Sequence, residues 1–193
     1  MQRFGDVTLA KIRDSEDLRK ILPSSLTGSE TVIVKPNWFS PNPANFVDAH
    51  ALGLLLGALD GKAIVIEGYT LEKHDGSMKF TVDGSEVNWR WVMENPGWGW
   101  VREEGRWEEI RRQDEGFLDR YGFSDLFREH GAEYVNVTEE IWSGRTVDPG
   151  EVRERVEERY GPVAEAQLYG FMPEALKVHE GTPLVSLGKV KGI

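Results

Sequence analysis

The chain has 193 residues, a length that suits one α/β domain or one domain carrying a sizeable insertion. Apolar residues make up 39% and charged residues 29%, which supports a packed core and argues against a disordered chain. The net charge of −10 argues against nonspecific nucleic-acid binding, and the lack of cysteine excludes disulfides, thiolate-held zinc, a cysteine-ligated iron–sulfur cluster and a cysteine nucleophile.

The N-terminal MQRFGDVTLAKIRD has no apolar run of the signal-peptide kind. The longest apolar stretch, ALGLLLGAL, falls far short of the roughly 20 residues that span a bilayer. These features predict a soluble cytoplasmic protein without membrane association. In chain order, DVTLAKI alternates as a first strand, and DSEDLRKIL follows as a short helix capped by Asp14 or Ser15. PSSLTGSE reads as a polar loop. Val32, Ile33 and Val34 then form a continuous apolar strand, the pattern of a strand covered on both faces. Asp48 caps a helix over DAHALGLLLGAL that ends at Asp60-Gly61, and KAIVIEG is a second buried strand. Strand, helix and strand at these lengths make a βαβ unit with parallel neighbours.

Residues 69–113 differ in composition and read as an insertion within a single domain of residues 1–193. They hold five of the seven tryptophans, so the pairs Trp89/Trp91 and Trp98/Trp100 are expected to form the insertion's own small core. KFTVDG suggests a strand there. Helical patterns return in WEEIRRQDEGFLDRYG and SDLFREHG, with EEGRWEEIRRQDE read as a solvated, charge-rich face. AEYVNV is a third strand of the sheet. Asp148-Pro149 opens the helix EVRERVEERYG, with cap and first-turn proline in order. Pro173 opens a short helix over PEALKVH, and TPLVSLGKVKG closes the chain as a strand. The expected fold is therefore α/β: a mostly parallel sheet, helices on both faces, and a Trp-rich insertion after the second strand.

Ligands of open parallel sheets sit beyond the carboxyl ends of the strands. Lys35, Glu67 and Asn136 each fall at or near such an end, and Lys189 and Lys191 follow the last apolar run. Pro36 holds Lys35 extended, Asn37 can satisfy the turn or donate to a ligand, and the helix opened by Asp48 aims its N-terminal amides at the same edge. Glu72, His74 and Asp75 read as a solvated loop. Together with Asp48 or Glu67 they would offer oxygen and nitrogen donors for a divalent metal. No Walker, G-x-S-x-G, H-E-x-x-H or G-x-G-x-x-G pattern is present, so common nucleotide hydrolysis, serine hydrolysis, zinc proteolysis and standard dinucleotide binding lose support.

VIVKPNWFSPNP, then VDAHAL, then KAIVIEG, then PLVSLGKVKG resembles the uncharacterised family named domain of unknown function 362. Members carry a strand ending in Lys-Pro-Asn, an Asp that opens a helix, a strand ending in Glu-Gly and a later strand ending in Lys-x-Lys. The resemblance points to Lys35, Asn37, Asp48, Glu67, Lys189 and Lys191. It implies no particular reaction. Some members are joined to cysteine-rich ferredoxin-like modules, and members commonly continue beyond Lys-x-Lys. Redox work by such a cluster would here need another protein, and half of a cleft would be either missing or supplied by a second subunit. The expected function is an enzyme or enzyme-like protein binding a small anionic metabolite, with Lys35 and Glu67 as catalytic groups, Asn37, Lys189 and Lys191 as ligand-binding groups, and Asp48 and Glu67 as possible metal ligands. The alternative is a noncatalytic module that docks an acidic or ferredoxin-like partner through its lysines and tryptophans.

Overall fold

A computed structural model of the chain describes residues 2–4, 7–38, 46–69, 81–82, 84–86, 91, 94 and 106–188. Four strands form a parallel sheet: β3 (Thr31–Pro36), β4 (Lys62–Glu67), β7 (Glu133–Asn136) and β8 (Leu184–Leu187), in the order β7-β4-β3-β8. Every pair in it is parallel, so the strand ends Pro36, Glu67, Asn136 and Leu187 share one edge. The expected βαβ unit is present. Helix α3 (Ala49–Ala58) lies between β3 and β4 in the chain, and those strands pair from Thr31↔Lys62 to Val34↔Val65.

Two central strands buried on both sides explain the continuous apolar runs. On one face Val32, Val34, Ala63 and Val65 pack with Leu52, Leu55 and Leu56 of α3. The same cluster takes in Phe117 and Leu118 of α4 (Arg106–Arg120) and Phe123 and Phe127 of α5 (Phe123–His130). On the other face Ile33, Ile64 and Ile66 meet Val135, Val137 and Leu176. Val137 opens α6 (Val137–Trp142), and Leu176 lies in α8 (Glu174–Lys177). Between these comes α7 (Pro149–Tyr160), capped by Asp148 with proline at the first helical position, as its sequence predicts.

Elsewhere the local expectations hold in part. DVTLAKI forms a strand as expected, outside the four-stranded sheet. It contributes β2 (Val7–Leu9), which pairs antiparallel with β1 (Gln2–Phe4) as a separate two-stranded ribbon. After α1 (Ser15–Arg19), the loop PSSLTGSE contains one helical turn, α2 (Ser24–Thr27), whose Leu26 is buried in the core. That single apolar residue draws the segment inward and leaves room for a turn of helix. KFTVDG holds the expected strand at β5 (Thr81–Val82), which pairs with β6 (Ser85–Glu86) just after it. Of the paired tryptophans, Trp91 is half-buried, and Trp89, Trp98 and Trp100 lie outside the described residues. Glu72, His74 and Asp75 also lie outside them, as do Lys189 and Lys191.

Candidate functional site at the carboxyl edge of the sheet

The residue after Lys-Pro-Asn fixes the local geometry. Trp38 is 1% exposed, and its ring centroid lies 4.3 Å from that of Phe123 with the planes tilted by 41°. Its indole Nε1–H donates to the Val47 carbonyl at 3.0 Å, and an antiparallel bridge joins Trp38 to Phe46. The Asn37 backbone is held on both sides: its N–H donates to the Leu187 carbonyl, and its carbonyl accepts from Val47 N–H. Asn37 and Trp38, directly after β3, are thus held by backbone hydrogen bonds and a buried indole, next to the strand end that carries Lys35.

Lys35 and Glu67 come together as their strand ends predict. Lys35 Nζ lies 3.5 Å from Glu67 Oε1, with the lysine side chain about half exposed and the glutamate side chain 10% exposed. Glu67 Oε2 accepts from Trp38 N–H at 3.2 Å, and Oε1 accepts from Gly68 N–H at 3.1 Å. A buried carboxylate needs such donors, since unpaired burial of a charge is costly. Glu67 therefore ties the end of β4 to the loop after β3 and anchors the ammonium above it. Asp48 caps α3, with Oδ1 accepting from Ala51 N–H at 2.9 Å. Among the described residues no group of three His, Asp or Glu is placed to hold a metal ion.

Asn136, opposite Glu67 in register, does two jobs. Its Oδ1 accepts from the backbone N–H groups of Thr138 and Glu139 and so caps α6. Its Nδ2 donates to Asp114 Oδ2 at 2.9 Å, and the Tyr134 hydroxyl donates to the same oxygen at 2.8 Å. Asp114 is 4% exposed. Burial, aided by the Asp114 charge, pushes the Tyr134 phenol well above its ordinary value. Nearby, the Tyr69 hydroxyl donates to Glu139 Oε2 at 2.8 Å, and Arg111 donates to Glu139 Oε1 at 2.6 Å. Burial first, and the Glu139 hydrogen bond second, raise the Tyr69 phenol as well.

These groups line a groove of about 480 Å³ between β7, α4 and α6. EEGRWEEIRRQDE is not solvated throughout as expected: its Ile110 and Asp114 are buried, together with Phe117 and Leu118 further along α4. Their i, i+4, i+7, i+8 spacing is the signal that marks Asp114 as an inward carboxylate. The assembled features define an α/β protein with a four-stranded parallel sheet and a polar carboxyl edge. No protein-family model, curated protein or solved structure matches the chain.

Proposed function

We propose that the protein binds a small phosphate- or carboxylate-bearing metabolite at the carboxyl edge of its sheet and acts on it as an enzyme, with Lys35 touching the anion. The observation that carries this reading is a half-exposed ammonium at the end of a buried parallel strand, standing over a buried carboxylate. In such sheets that edge is where ligands lie. Glu67 fixes the ammonium in place, and a prepositioned cation loses little freedom when an anion arrives. Lys189 and Lys191, which follow β8, would add charge, and Asn37 would add a polar contact. The resemblance to domain of unknown function 362 supports the same edge, since its Lys-Pro-Asn and Glu-Gly strand ends fall on Lys35–Asn37 and Glu67–Gly68. In this reading Lys35 and Glu67 form the pair through which a proton moves at the bound substrate.

A thermal-shift screen of phosphates and carboxylates tests the reading, followed by titration of the strongest hit against Lys35→Met and Lys191→Met. Losing one charge-assisted contact costs about 1.5–3 kcal/mol, which is roughly ten- to hundredfold in affinity. The fold should persist in Lys35→Met, because the apolar residues of β3 are untouched. Equal affinity in both variants and the parent would remove this edge as the anion site.

A further inference from the structure

The other notable surface is the outer side of β7. This strand is one edge of the sheet, and all four of its residues line the groove. Tyr134 and Asn136 turn toward Asp114, whereas Val135 packs into the opposite layer. Residues of both faces border the groove, so it runs along the strand's edge. In a parallel ladder, alternate residues turn both N–H and C=O away from the neighbouring strand. Among the described residues no backbone hydrogen bond leaves β7 on that outer side. Such an edge is a template for one more strand.

Charge selects the occupant. The two arginines of the groove are already matched, Arg111 by Glu139 and Arg145 by both oxygens of Glu140. The lining carries five carboxylates, Asp114, Glu115, Glu133, Glu139 and Glu140, against those two arginines, so it is acidic, with Lys62 offsetting Glu133. The whole chain carries −10, so a second copy or an acidic strand meets repulsion there. A cationic strand meets attraction. The volume lies in the range of small-ligand sites, ~300–1,000 Å³. Four residues of β7 at ~3.3 Å each offer pairing for about three residues of an extended guest.

We infer that the β7 groove binds an extended, lysine- or arginine-bearing peptide segment by adding it as a fifth strand beside β7. The segment's backbone pairs with the outward amides and carbonyls of β7, and its cationic side chains meet Glu115 and Glu133. This site meets the carboxyl edge at Asn136 but does not use Lys35.

The test uses the full chain and a fluorescein-labelled hexapeptide of alternating lysine and valine, read by fluorescence anisotropy. Two further peptides carry N-methyl groups on either the odd or the even residues, and a fourth replaces lysine with glutamate. Strand addition uses only one edge of the guest. One methylated form should therefore bind at least tenfold weaker while the other binds like the parent, and the glutamate peptide should not bind. Glu115 and Glu133 are exposed, so Glu115→Lys and Glu133→Lys should fold, as circular dichroism will verify, and each should weaken the lysine peptide about tenfold. Lys35→Met should bind it like the parent. The inference is overturned if the lysine peptide does not bind, if both methylated forms bind alike, or if the charge reversals leave affinity unchanged.

Discussion

Asp114 is the residue on which most of the groove depends. One of its oxygens receives both the Tyr134 hydroxyl and the Asn136 amide, and Asn136 in turn caps α6. Replacing it with alanine would leave two partly buried donors without that acceptor, at about 1–3 kcal/mol for each donor. Asp114→Asn keeps an acceptor oxygen and should cost less. In a Tyr134→Phe background the alanine change should cost less again, because one donor is already gone. Urea denaturation of the parent, Asp114→Ala, Asp114→Asn, Tyr134→Phe and the double variant measures this, and strictly additive costs of Asp114→Ala and Tyr134→Phe would show that Asp114 and Tyr134 do not interact. Glu67 plays the matching role on the next strand. Glu67→Ala removes the acceptor of the Trp38 and Gly68 amides and should lower stability by about 1–3 kcal/mol. The strand-end positions of Lys35 and Glu67 are legible because a lysine or glutamate closing an apolar run stands out locally. Asp114 is hidden by its charged neighbours, and the donors Tyr134 and Asn136 lie 20 and 22 residues away.

At the scale of elements, the readable features are those with a local cause. Asp48 and Asp148 each accept a backbone N–H at the helix start they were expected to cap, and of the two candidates Asp14 and Ser15 it is Asp14 that caps α1. Gly131 ends α5 at φ 60, a left-handed conformation that glycine adopts without penalty. Two glycines give opposite predictions. A Cβ at Gly61 would overlap the carbonyl oxygens of Ser29 and Glu30, where Lys62 N–H pairs with Glu30 at the start of β4. Backbone atoms cannot swing aside, so Gly61→Ala should destabilise by about 1–3 kcal/mol. Gly116, within α4, has nothing within 4 Å of a Cβ. Gly116→Ala should stabilise by about 0.5–1 kcal/mol, because alanine loses less backbone freedom in a helix. Thermal melts of the two variants should move in opposite directions. A Gly61→Ala chain as stable as the parent would mean that the approach of β4 to the segment before β3 is looser than the structure has it. The antiparallel ribbon β1–β2 has no comparable local signal, since alternation alone cannot say which strand a short segment pairs with.

At the scale of the molecule, the parallel sheet is legible from its two buried central runs, but its order comes from pairing that spans most of the chain. β8 lies beside β3 about 150 residues apart in sequence, a separation no local pattern encodes. The groove network has the same long-range character. Tyr69 after β4, Tyr134 in β7, Asp114 and Arg111 in α4, and Glu139 in α6 meet only when the whole domain is assembled. This gives a pH signature of the fold. Both phenols have native-state pKa values raised above the ordinary 10.0. Below that value they are protonated in both states, and their contribution to stability is complete. As pH rises beyond about 10, the unfolded chain sheds these protons while the native chain keeps them, so stability falls until the native values are reached. The limiting slope is about 1.4 kcal/mol per pH unit for each tyrosine. Tyr134, enclosed against Asp114, should approach it. Tyr69, only half enclosed, should contribute less because solvent screens its partner. Urea midpoints measured on either side of pH 10 should therefore drop steeply in the parent, less in Tyr69→Phe, and least in the chain carrying Tyr69→Phe and Tyr134→Phe. An identical alkaline drop in all three would mean that the two phenols ionise as freely in the folded protein as in the unfolded chain, and that the groove is open to water to its base.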